Sequence, residues 1–98
     1  MYRVFRLAAG QASLVENLFK DNLAGRQSIT IREARTLGVP GEGSLVLVEG
    51  SDEGVARADA LLEGTATKVT GADAESAYLA FRKQEDEAAS GMGLVFGP

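Results

Sequence analysis

Apolar residues occupy both alternating faces of the first stretch of chain. Over residues 2–9, Tyr2 and Val4 fall on one side and Phe5 and Leu7 on the other, with Arg3 and Arg6 interleaved. Apolar groups on both faces predict a strand covered on both sides. Gly10 breaks the pattern. Leu14, Val15, Leu18, Phe19 and Leu23 then recur at helical spacing, which predicts a helix over 11–24 with Gly25 as its stop. Residues 27–34 alternate again, with Ile29 and Ile31 on one face and Ser28, Thr30 and Arg32 on the other, the pattern of a half-buried strand. After the turn-rich Gly38–Gly43 segment, Leu45-Val46-Leu47-Val48 runs without a polar break and predicts a central strand.

Gly50 closes that strand. Ser51 or Asp52 can cap a helix that packs through Val55, Ala58, Leu61 and Leu62, and Gly64 ends it. Residues 65–70 are β-prone but weakly apolar, as suits an edge strand. Ala77, Tyr78, Phe81 and Ala88 mark a third helix over about 72–90, ended by Gly91. The expected organisation is one domain over 1–91 and an apolar tail over 92–98. No internal repeat is seen.

The order β-α-β-β-α-β resembles the ferredoxin-like split β-α-β superfold, whose first and third strands lie in the middle. The expected fold is therefore an α+β ferredoxin-like sandwich with an additional C-terminal helix and tail. Two helices cover one sheet face, and either the third helix or a second subunit must bury the other. Within that superfold, Gly43–Gly50 followed by Val55–Leu62 resembles the strand–turn–helix of bacterial microcompartment shell proteins and of small amino-acid-sensing regulatory domains. The superfold hosts many functions and transfers none by itself.

Composition narrows the chemistry. The 98 residues include no Cys, no His and no Trp. Thiol nucleophiles, imidazole acid–base chemistry, disulfides and the common zinc sites are thereby excluded. The formal net charge is −4, split as +1 over residues 1–49 and −5 over 50–98. This acidic balance argues against a general nucleic-acid binder, which needs basic surface to displace counterions. No apolar run reaches the ~20 residues of a membrane span. The N-terminal stretch carries its arginines inside its apolar run, unlike a signal peptide. The expectation is a cytoplasmic protein with neither nucleic acid nor membrane as partner.

Candidate ligand-binding residues lie in two turns. Gly41 and Gly43 belong to a glycine-rich connection whose backbone N–H groups could wrap a phosphate, although no G-x-x-x-x-G-K-[ST] pattern is present. Ser51 and Asp52 stand where a central strand hands over to a helix, a place for an anion or simply for a cap. Tyr2, Val4, Leu94, Val95 and Phe96 are candidate interface residues, the last three as a strap that packs on its own domain or adds to the strand edge near 27–33. The acidic Glu85-Asp86-Glu87 run reads as a solvated face, or as a docking surface matched by Arg26, Arg32 and Arg35. No catalytic set stands at diagnostic spacing, and no cofactor or metal pattern is present, the twelve-residue calcium loop included. The expected function is a non-enzymatic regulatory or small-ligand-binding module acting as a homo-oligomer. The alternative is a structural self-assembly or protein-interaction unit that uses its sheet face and tail.

Overall fold

The computed structural model describes residues 1–96 apart from Ala9 and Ala12, with side chains described as far as Glu87. It is an α+β chain built on a four-stranded antiparallel sheet. The elements in chain order are β1 (Tyr2–Leu7), α1 (Leu14–Lys20), a 3-10 turn (Ala24–Arg26), β2 (Ser28–Glu33) and α2 (Ala34–Leu37). They continue with β3 (Ser44–Glu49), α3 (Asp52–Leu62), β4 (Thr67–Val69) and α4 (Gly71–Phe96). The strands lie in the order β2-β3-β1-β4. β3 and β1 are therefore central, as their uninterrupted apolar character predicts. Val4 stands opposite Leu47 and Phe5 opposite Val46 across the β1–β3 pair, while Ile31 stands opposite Val46 across β2–β3.

This register sorts the apolar residues into two cores. Phe5, Leu7, Val46 and Val48 meet Val15 and Leu18 of α1 and Val55, Ala58 and Leu62 of α3, with Ile29 and Ile31 packed against them. Val4, Leu45 and Leu47 point to the opposite face and meet Ala77 and Phe81 of α4 and Ala34 of α2. Of the two covers open to this second face, the chain uses its own C-terminal helix. Val4, expected at an interface, is accordingly buried beneath α4 within one chain.

Local chemistry moves several boundaries. The helix expected over 11–24 ends at Lys20, because the Asp21 carboxylate turns to accept the backbone N–H groups of Leu23 and Ala24. A side chain that caps a new turn competes with helix continuation. Phe19 and Leu23, expected on the buried stripe, are consequently exposed. The second strand stops at Glu33. Ala34 begins a single turn of α2, which Gly38 closes in the left-handed region at φ 73°. Gly91 does not end the last helix, whose backbone stays helical to Phe96. A glycine inside a helix costs only about 1 kcal/mol, and no proline intervenes. The expected tail positions Leu94, Val95 and Phe96 thus continue α4, and their side chains lie outside the described residues. Among the described residues, no helix is long and apolar enough to cross a membrane.

Candidate functional site

On the α4 side of the sheet, β1 presents Tyr2, Val4 and one charged residue, Arg6. Arg6 shares a face with Val4 by strand alternation and stands between Leu45 of β3 and Thr67 of β4. Its guanidinium donates through Nη1 to the Glu42 carbonyl at 2.8 Å and through Nη2 to the Pro40 carbonyl at 2.9 Å. The segment after α2 is thereby tied to the sheet. Gly41 lies directly against this guanidinium at φ 101°, where a Cβ would come within 2.7 Å of Nη1. The backbone angle favours glycine there, and a Cβ would push the guanidinium aside.

Between this tethered segment and the first half of α4 lies a cleft of about 620 Å³. Leu45 and Val69 form its apolar floor, Val39 and Ala77 its sides. Arg6, Thr67, Asp73 and Ser76 supply polar groups around it. The arrangement places a guanidinium, a carboxylate and two hydroxyls over an apolar base, the usual composition of a small-molecule site.

The four ligand residues expected from the sequence do not converge on this cleft. Gly41 and Gly43 line a separate depression of about 430 Å³ with Glu33, Arg35 and Ser44. Gly43, at φ 87°, presses against the Leu7 carbonyl, so its role is close packing of the turn on β1. Ser51 and Asp52 lie at the other end of β3, a six-residue strand that spans roughly 17–20 Å. Ser51 is the N-cap of α3, its Oγ accepting the Gly54 N–H at 3.1 Å. The Gln27 carboxamide oxygen accepts the Ser51 backbone N–H at 2.9 Å, and its Nε2 donates to the Leu23 carbonyl. Ser51 is thus already engaged in fastening α3 to the 3-10 turn.

Three further polar groupings brace the fold. Tyr2 stacks on Tyr78 with ring centroids 4.2 Å apart, and the Tyr78 hydroxyl donates to Glu49 Oε2 at 2.8 Å. That hydrogen bond to a carboxylate, helped by burial and by the Glu49 charge, raises the Tyr78 pKa above its ordinary 10.0. Tyr2, expected at a subunit interface, is here half-buried against α4. On the other face, Arg3 Nε meets Asp59 Oδ2 at 3.0 Å, and Lys68 Nζ stands 3.9 Å from Asp59 Oδ1. Asp21 pairs with Arg57 at 3.0 Å. Its carboxyl is held below the ordinary 3.8, first by the Ala24 N–H, then by Arg57 and the Leu23 N–H, against an opposing contribution from burial.

Arg6, Thr67, Asp73 and Ser76 were not among the residues expected to bind. One signal for them is present in the sequence. Arg6 occupies the same alternating face as Tyr2 and Val4, and a charge on a buried face marks a place where polar groups must meet. Among the described residues, no group of three or more carboxylates is placed to hold a metal ion. No family model, curated protein or solved structure matches the chain.

Proposed function

We propose that the chain is a non-enzymatic, small-ligand-binding regulatory module of ferredoxin-like architecture, and that its site is the cleft between α4, β4 and the segment Leu37–Pro40. The architecture is supported by the order β2-β3-β1-β4 with antiparallel neighbours. Read from the other edge, that order supports a reading as two interleaved split β-α-β units. The observation that carries the function is the cleft itself, an apolar floor with Arg6 and Asp73 among its polar residues. Groups of opposite charge over an apolar base favour a small zwitterion of the amino-acid class. Its carboxylate faces the Arg6 guanidinium and accepts from the N–H groups that the Pro40 and Glu42 carbonyls leave unused. Its ammonium faces Asp73, and its side chain rests on Leu45 and Val69. A volume of about 620 Å³ is in the range of small-molecule sites.

Ligand binding to the folded state alone raises stability by mass action, by about 2.7 kcal/mol at a hundredfold excess over the Kd. The test is thermal unfolding of the chain in the presence of each free proteinogenic amino acid, followed by amide chemical-shift mapping with any that stabilises. The proposal predicts a stabilising amino acid whose shifts centre on Thr67, Val69 and Ser76, and whose effect disappears in Asp73→Asn. No stabilisation by any of them, or shifts centred elsewhere, overturns it.

A further inference from the structure

The two edges of the sheet are built differently. β4 is a three-residue edge with Lys68 at its centre, short and charged in the way that protects an edge from pairing. β2 is a six-residue edge in unbroken register with β3 from Ser28 to Glu33, with no bulge and no proline. The hydrogen-bond phase shows which of its groups face outward. Ala34 N–H donates to the Gly43 carbonyl at 3.0 Å, in the same register as the strand pair. Even-numbered residues of β2 therefore bond to β3, and the backbone N–H and C=O groups of Ile29 and Ile31 point away from the sheet. Consistent with this, the Ile31 carbonyl accepts a hydrogen bond from its neighbour's side chain, Arg32 Nη1 at 2.7 Å, instead of from a strand.

We infer that β2 is the self-association edge of this protein, pairing antiparallel with β2 of a second copy about a two-fold axis at Thr30. This register sets Ile29 opposite the second copy's Ile31, so that each pair exchanges both outward N–H···O=C bonds. It keeps the isoleucines on the α1–α3 side and sets Thr30 against Thr30, a favourable cross-strand pair. Arg32 falls opposite Ser28, so no like charges oppose one another. The second copy's Ile29 N–H replaces Arg32 as donor to the Ile31 carbonyl. An isologous contact of this kind closes on itself and yields a dimer with one continuous sheet, not a filament. The α4 cleft lies on a face of the sheet, away from this edge, so the pairing stands independently of ligand binding.

The experiment is light scattering of the full chain over a concentration series, together with amide hydrogen exchange. The expected result is a mass rising to twice the 10.3 kDa of one chain, with Ile29 and Ile31 amides slowed at high concentration and fast on dilution. Thr30→Lys, which sets two ammonium groups against each other at the axis, is expected to give the single-chain mass with α3 and α4 amides still protected. A single-chain mass at every concentration overturns the inference. So does a dimer in which the Ile29 and Ile31 amides exchange freely, because the contact then lies on another surface.

Discussion

Replacing Phe81 by alanine tests how α4 is attached to the sheet. Among the described residues Phe81 is the largest fully buried side chain, and it lies in the same core cluster as Val4, Leu45 and Leu47. Its removal takes a ring out of a site with no solvent access, and Phe→Ala changes of this kind cost about 3–5 kcal/mol. A small domain has only about 5–15 kcal/mol in total. At roughly 4–8 °C per kcal/mol for a chain of this size, the melting temperature should fall by more than about 12 °C. Leu79 provides the internal control. It sits two residues away on the same helix but is 61% exposed, so Leu79→Ala should change stability by no more than about 0.5 kcal/mol. Urea denaturation of both variants followed by circular dichroism measures the difference. A loss below about 1 kcal/mol in Phe81→Ala would mean that α4 does not close the second face, and the cleft would then have no wall.

Other consequences are checked in the same way. Gly38 and Gly43 both have positive φ, but a Cβ at Gly38 meets open space whereas one at Gly43 runs into the Leu7 carbonyl. Gly38→Ala should cost about 1–2 kcal/mol and Gly43→Ala clearly more, as read by denaturant midpoints. The lowered Asp21 pKa means that its contribution to stability is fully present above the ordinary carboxylate value of 3.8 and is lost as pH falls through the lowered folded value. Asp21→Asn should therefore flatten the acid limb of the stability profile relative to the native chain. For Tyr78 the sign is reversed. Its raised pKa favours the neutral phenol, so its contribution is complete below pH 10.0 and disappears as pH rises through the folded value. An ultraviolet titration should show one tyrosine ionising late, and Tyr78→Phe should remove that late step.

The central strands were legible because burial on both faces leaves no polar residue to interrupt Leu45–Val48, and because alternation alone separates Val4 from Phe5. α3 was legible for a similar reason, with Ser51 before it as a cap and Gly64 after it. The split of the first helix was not, since the apolar spacing continues through Leu23 while the Asp21 carboxylate turns to the Leu23 and Ala24 N–H groups and is also held by Arg57, thirty-six residues away. The cleft was least legible. Its walls come from β1, the segment after α2, β4 and α4, which become neighbours only once α4 folds back across the sheet. Gly41 and Gly43 line a depression of their own and also pack closely, one against the Arg6 guanidinium and the other against the Leu7 carbonyl.

Everything proposed for the α4 face depends on that helix covering the sheet of its own chain. An isotope-filtered NOE experiment on a mixture of labelled and unlabelled protein tests this directly. The expected result is strong contacts between the Phe81 ring and the Val4 and Leu47 methyl groups within one chain, and none of them between chains. Intermolecular NOEs between these groups would show α4 exchanged with a second copy and would contradict the account.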